Sequence, residues 1–166
     1  MNIETEKKYI IEKPNIKELE RQNGLTESEI TQIYLNSQIA THRVRKRSFS
    51  DGRVEFTENK KVRISRMSSE EYESEISESD FLELAKNIEN GARPLHKTRK
   101  TFLYGNKTIE LDYYPEWENT CVMEIELESE NESIEIPDFI KIIADVTGER
   151  EYSNHAMAHN FPKEII

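Results

Sequence analysis

The sequence predicts a mainly β (α+β) domain, an eight-stranded antiparallel closed β-barrel with a few helices packed outside. Three observations lead to this prediction. Eight segments alternate polar and apolar side chains with period two, glycine-containing turn pairs join two pairs of them, and only three segments have the start and stop residues of helices. Closing the sheet into a barrel would remove its exposed edges.

The eight predicted strands follow one another with mostly short connections. They are Ile3–Ile11, Glu29–Asn36, Ala40–Phe49, Arg53–Ile64, Glu71–Ser77, Pro94–Tyr104, Lys107–Tyr114 and Thr120–Glu130. Asp51-Gly52 lies between the third and fourth strands, and an Asp-Gly pair between two alternating segments strongly favours a hairpin. Gly105-Asn106 predicts a second hairpin.

Three helices are predicted between or after these strands. Asn15–Asn23 ends at Gly24, and Ser79–Asn90 follows the capping residue Ser77 and ends at Gly91. Asp138–Thr147 lies between Pro137 and Gly148, which matches the preference for proline at the start and glycine after the end of a helix.

Composition narrows the class of protein. The 166 residues fit one domain, 1–166, without internal repeats. No segment approaches the roughly 20 apolar residues of a membrane span. A single cysteine, Cys121, excludes an internal disulfide and favours a reducing cytoplasmic location. The net charge of −10 argues against nucleic-acid binding, which needs a basic surface. We therefore expect no nucleic-acid or membrane partner, and a monomer or a homodimer.

Charge is distributed unevenly along the chain. Residues 41–66 hold nine basic and three acidic side chains, and an acidic block begins at Glu70. Six of the predicted strands carry charged residues at successive positions of one face. The ordinary interpretation is that such faces point to solvent. If the helices cover the outside of the barrel, however, the charged faces must line its interior, where charges need partners or a bound ion.

Several of these charged segments resemble the triphosphate tunnel metalloenzymes, also called the CYTH superfamily. The first strand carries Glu4-Thr5-Glu6-Lys7-Lys8, similar to the family's Glu-x-Glu-x-Lys motif. The later motifs that resemble the family, in family order, are Arg43-Val44-Arg45, Glu71-Tyr72-Glu73-Ser74-Glu75, Lys97-Thr98-Arg99, Glu110-Leu111-Asp112, Glu124-Ile125-Glu126-Leu127 and 147–154. This resemblance implies a charged tunnel through an eight-stranded barrel.

The resemblance also implies an activity: metal-dependent hydrolysis of a triphosphate, with the inorganic triphosphatase branch most similar. The expected reaction converts tripolyphosphate to pyrophosphate and phosphate. Thiamine triphosphatase and class IV adenylate cyclase remain alternatives on the same fold. A polyphosphate-binding module without catalysis and an ordinary β-domain with solvated charges are alternatives from other classes.

The resemblance assigns roles to individual residues. The expected phosphate-binding cations are Lys8, Arg43, Arg45, Lys60, Lys97, Arg99 and Arg150. The expected ligands of Mg²⁺ or Mn²⁺ are Glu4, Glu6, Glu73, Asp112, Glu124 and Glu126, since these ions prefer oxygen donors. The expected catalytic residues are Glu4, Glu6, Lys8, Glu124 and Glu126. The fourth strand offers either Lys60 or Lys61 to the tunnel, and Lys60 is favoured.

Two histidines near the end of the sequence have the spacing of a helical metal pair. His155 and His159 are four residues apart, but no third ligand lies nearby in the sequence. We therefore interpret this segment as a terminal tail.

Overall fold

The barrel is built from eight antiparallel strands in a computed structural model that describes residues 2–38 and 40–165. The strands are β1 (Asn2–Glu12), β2 (Asn23–Leu35), β3 (Thr41–Phe49), β4 (Val54–Arg63), β5 (Ser68–Glu75), β6 (Leu95–Tyr104), β7 (Lys107–Tyr113) and β8 (Thr120–Leu127). Their order is β5-β4-β3-β2-β6-β7-β8-β1, and β1 also pairs with β5, which closes the barrel. The predicted fold is confirmed. Of the predicted domain 1–166, residues 1, 39 and 166 lie outside the described part.

A ninth strand, β9 (Ile142–Asp145), continues the sheet along β1 beyond the end of β5. The helix predicted over Asp138–Thr147 is therefore wrong. Ile142 and Ile143 are β-branched, which lowers helix propensity, and the free edge of β1 supplies backbone partners that a helix would not use.

The helices are shorter than predicted. Helix α1 spans Ile16–Glu20 and α2 spans Glu78–Ala85, where Ser77 Oγ accepts a hydrogen bond from Asp80 N as the cap. Strand β2 begins at Asn23 rather than Glu29, because it pairs with β6 around a bulge next to Gly24. The tail prediction is also wrong, since Asn154–His159 forms helix α3 after a 3-10 turn at Arg150–Tyr152.

Apolar side chains cover the outside of the barrel, under the first two helices. Leu19 of α1 joins outward residues such as Ile11 and Met123 in one core cluster. Phe81 of α2 packs with Val44 of β3 in another. Because neighbouring residues of a strand point to opposite faces, the charged residues that alternate with these apolar ones face inward.

One end of the barrel interior is filled. The inward residues Ile10, Leu95 and Val122 form a core cluster with Trp117 and with Met157 of α3. Helix α3 and this cluster therefore separate that end from the charged interior. No helix in 2–38 or 40–165 has the length and hydropathy needed to cross a membrane.

Candidate functional site

The barrel encloses a cavity of about 720 Å³ lined by nine cationic and eight carboxylate side chains. The structure places most of the predicted site residues on it. These are Glu4, Glu6, Lys8, Arg43, Arg45, Glu73, Arg99, Glu124, Glu126 and Arg150. The two signs of charge are largely separated between two sides of the cavity.

The basic wall consists of Arg43, Arg45 and Arg47 on β3, Lys61 on β4 and Arg99 on β6. Polar residues of β2 accept hydrogen bonds from two arginines of this wall. Arg45 donates to Gln32 Oε1 from Nε (3.1 Å) and Nη2 (2.6 Å), and Arg47 Nε donates to Ser28 Oγ (2.9 Å). These neutral partners orient the guanidinium groups without cancelling their charge.

The basic wall carries an excess of positive charge. Burial, together with the neighbouring Arg43 and Arg99, lowers the pKa of Arg45 to about 9. The buried Nε of Arg43 has no hydrogen-bond partner among the described residues. A buried donor without a partner is costly, so this wall is suited to an anion that accepts hydrogen bonds.

The acidic wall consists of Glu4 and Glu6 on β1, Glu71 and Glu73 on β5, and Glu124 and Glu126 on β8. Pairing of the strands brings these side chains together. Glu6 lies directly opposite Glu126, and Glu124 lies opposite Lys8, so both pairs share the inward face.

Most of this wall lacks a neutralising partner. Burial and the neighbouring Glu71 carboxyl raise the pKa of Glu4 to about 8, and burial beside Glu124 raises that of Glu6 to about 8. Glu124 differs, because Lys8 Nζ lies 3.5 Å from its Oε1. The positive charge of this lysine outweighs the effect of burial, so the pKa of Glu124 is lowered to about 2. Clustered carboxyl oxygens that would ionise together only beside a positive charge fit a divalent cation such as Mg²⁺ or Mn²⁺.

Two predicted site residues lie beneath the cavity instead of lining it. Asp112 is 1% exposed and accepts from Lys97 Nζ (2.8 Å) and from Arg99 Nε (2.8 Å). These two cations hold the pKa of Asp112 well below its ordinary value despite burial. Lys97 and Asp112 thus belong to a buried ion-pair network that positions Arg99, and their predicted contacts with phosphate and metal stay predictions.

The choice of Lys60 for the tunnel is also corrected. Strands β3 and β4 pair Arg43 with Asn59 and His42 with Lys60. Directly opposite residues share a face, so Asn59 and Lys61 point into the cavity with Arg43, whereas Lys60 is exposed on the outside. The sequence already contained this register: placing the predicted strand ends Phe49 and Arg53 opposite each other pairs Arg43 with Asn59. That pairing puts Lys61, and not Lys60, on the face of Arg43.

A loop borders the cavity at 147–150. Arg66 Nε donates to Thr147 O (2.7 Å), and Arg63 Nη2 donates to Gly148 O (2.9 Å). Gly148 has φ +74°, and a Cβ there would lie 2.8 Å from the Arg66 carbonyl oxygen. Only glycine tolerates both conditions, so this residue allows the loop to pack against Arg66 where Arg150 lines the cavity.

Other lining residues were missed by sequence reasoning. Glu110 forms an ion pair with Arg99, whose Nη1 lies 2.8 Å from its Oε2, and Glu71 pairs with Lys61 (3.6 Å). Both belonged to the alternating charged faces, so the pattern was sufficient to include them. Tyr34 also lines the cavity, and Gln32 lies buried behind the basic wall. Both are on a strand whose alternation is weaker, and their roles became visible only through the pairing of β2 with β3.

Comparison with known proteins decides the family. The CYTH domain model matches residues 2–159. The chain belongs to the CYTH family. A search of curated proteins found no match for this CYTH chain.

Solved structures share the fold at low identity. The inorganic triphosphatase NE1496 is 23% identical, with a TM-score of 0.61 and 98% of each chain covered. The PH1819 protein from Pyrococcus horikoshii OT3 is 19% identical, with a TM-score of 0.55, 75% of this chain and 80% of that chain covered. The PH1012 protein from the same organism is 21% identical, with a TM-score of 0.52, 77% of this chain and 80% of that chain covered. These similarities concern the fold of the CYTH chain alone.

Proposed function

We propose that this CYTH protein hydrolyses inorganic tripolyphosphate to pyrophosphate and phosphate with Mg²⁺ or Mn²⁺. The observation that carries the proposal is the placement of a basic wall and an acidic wall on one cavity. The similarity of the fold to the inorganic triphosphatase NE1496 supports the same class of substrate.

The basic wall would hold the phosphates. Arginine presents a planar pair of donors to phosphate oxygens, and lysine presents a compact charge. Arg43, Arg45 and Arg99 line the cavity and would contact the phosphate groups, and Lys61 and Arg150 lie on the same cavity. The polyanion would also supply the missing acceptor for Arg43 Nε.

The acidic wall would hold the cation. Glu4, Glu6 and Glu124 are the central candidates, and Glu71, Glu73 and Glu126 border them. A bound divalent ion lowers the pKa of a coordinated water and neutralises charge that develops on phosphate oxygens. Lys8 keeps Glu124 ionised and in place, and its Nζ also donates to Tyr152 O (3.2 Å).

Catalysis of this kind rests on positioning and charge neutralisation, so no covalent nucleophile is needed. Cys121 is buried on the outward face and takes no part. The arginines would keep the polyphosphate extended along one wall, and the glutamates opposite would orient water toward the terminal phosphorus.

A substrate panel tests the proposal. Tripolyphosphate, thiamine triphosphate, ATP and long-chain polyphosphate are incubated with Mg²⁺ or Mn²⁺, and phosphate, pyrophosphate and cyclic AMP are measured. We expect the highest kcat/KM for tripolyphosphate. A preference for thiamine triphosphate, or formation of cyclic AMP, would show that tripolyphosphate is not the substrate. Binding of all four compounds without turnover would contradict the proposed catalytic activity.

Metal removal tests the role of the acidic wall in the same assay. EDTA should abolish phosphate release, and added Mg²⁺ or Mn²⁺ should restore it, because without a cation nothing on the acidic wall would neutralise the charge that develops on the phosphate oxygens. Full turnover in metal-free buffer would contradict the proposed mechanism.

A further inference from the structure

Three side chains with metal-binding atoms converge outside the acidic wall. They are Glu89, in the segment between α2 and β6, and His155 and His159 on α3. His155 Nε2 lies 2.9 Å from Glu89 Oε1, and His159 Nε2 contacts the same oxygen. The ligand atoms of all three residues lie within 4.8 Å of one another.

The backbone holds both sides of this cluster in place. Glu89 N donates to Tyr34 O of β2 (2.8 Å), and Arg93 N donates to Ala158 O of α3 (2.9 Å). Gly91 has φ +84°, and a Cβ there would lie 3.6 Å from His159 Nδ1, so the turn packs closely against this ring. The three side chains are therefore brought together by the fold and not by chance contact of flexible tails.

Two imidazole nitrogens and one carboxylate oxygen are a donor set that Zn²⁺ uses in proteins, with a fourth position left open. At ordinary zinc bond lengths the ligand atoms of a tetrahedral site lie about 3.3 Å apart, close to the 2.9 Å between His155 Nε2 and Glu89 Oε1. All three side chains are partly exposed, so an ion has access from solvent.

We propose that Glu89, His155 and His159 form a binding site for Zn²⁺ or a similar transition-metal ion, separate from the acidic wall. Helix α3 packs against one end of the barrel. Its Met157 belongs to the core cluster that fills this end, and its Asn154 Oδ1 accepts a hydrogen bond from Tyr114 Oη (2.6 Å). A metal bound by the three residues would join this helix to the segment between α2 and β6, where Glu89 N is bonded to Tyr34 O of β2.

Cobalt provides a spectroscopic test, because Co²⁺ with imidazole ligands in a tetrahedral site absorbs visible light far more strongly than Co²⁺ surrounded by oxygen ligands. The intact protein is titrated with Co²⁺ in excess Mg²⁺, which occupies oxygen sites and binds imidazole poorly. We expect one strongly absorbing Co²⁺ per chain, displaced by one equivalent of Zn²⁺.

Substitutions locate the site. His159→Gln and Glu89→Gln should each weaken Co²⁺ binding at least about tenfold, the loss that follows removal of even an outer-shell partner. The control is His96→Gln, because His96 is exposed on β6, where its Nδ1 lies 3.0 Å from Thr31 Oγ1. This variant should bind Co²⁺ as the wild type does.

Thermal melting of the same proteins separates loss of the site from loss of the fold. Zn²⁺ should raise the Tm of the wild type and of His96→Gln by mass action, but not that of His159→Gln. If the wild type shows no saturable absorption, or if the absorption survives both His159→Gln and Glu89→Gln, the proposed site does not exist.

Discussion

The acidic and basic walls of the cavity hold their charges in different ways. On the basic wall, Arg45 and Arg47 are bonded to neutral residues of β2, so each guanidinium is fixed before any ligand arrives. On the acidic wall, Glu4 and Glu6 face other carboxylates, and their raised pKa values express the cost of charging them together. The comparison shows that neutral partners hold the guanidinium groups of the basic wall in place, whereas burial and neighbouring carboxyl groups disfavour the charged forms of Glu4 and Glu6.

The largest expected effect comes from removing one charge of the acidic wall. Glu124→Gln keeps the shape of the side chain but loses its charge, so kcat on tripolyphosphate should fall about 100-fold, in line with the several kcal/mol that metal ions contribute to such reactions. Steady-state kinetics measure this. Glu70→Gln is the control, because Glu70 precedes Glu71 on β5 and faces outward. Wild-type kcat in Glu124→Gln would remove this residue from the mechanism.

A smaller effect, on KM, distinguishes Lys61 of the basic wall from its neighbour Lys60 on the outer face of the barrel. Lys61→Ala should raise KM for tripolyphosphate about tenfold, since a hydrogen bond to a charged group contributes about 1.5–3 kcal/mol. Lys60→Ala should leave KM unchanged, because the pairing of β3 with β4 places Lys60 outside. The reverse result would mean that β4 is shifted by one residue from the register described here.

The smallest effect is a pH dependence of stability. Glu4 and Glu6 have pKa values raised from 4.5 to about 8, so the folded state binds protons that the unfolded state releases between these values. The metal-free protein should therefore lose stability as pH rises from 5 to 8. Melting of the Glu4→Gln, Glu6→Gln double variant should show a loss smaller by on the order of a few degrees. An unchanged slope would contradict the raised pKa values.

Much of the barrel followed from the sequence because alternation reports directly which residues share a face. Arg43 and Arg45, or Glu124 and Glu126, are two residues apart and need no tertiary information to be placed together. The helix prediction for 138–147 was wrong because the proline and glycine at the ends of this segment are typical of a helix. The free edge of β1, with which the segment pairs, is created only by folding.

The site was less predictable where residues meet across the fold. Asp112 shared the charged face of its strand, but Lys97 and Arg99 occupy both of its carboxylate oxygens. His155 and His159 lacked a third ligand in the sequence, because Glu89 lies 66 residues before His155 and reaches it through the packing of α3. Spacing along one strand or helix was informative, whereas partners on different elements required the structure.

Thermal melting with both ligands tests the central claim, that the two walls bind a polyanion and a cation together. A non-hydrolysable tripolyphosphate analogue and Mg²⁺ are added separately and then jointly. At 100 times Kd the joint addition should stabilise the protein by about 2.7 kcal/mol, or roughly 5–10 °C, and by more than the sum of the separate effects. Monophosphate at equal ionic strength should do much less, and Arg43→Ala should lose most of the rise. Additive shifts, or a rise unaffected by Arg43→Ala, would contradict the account.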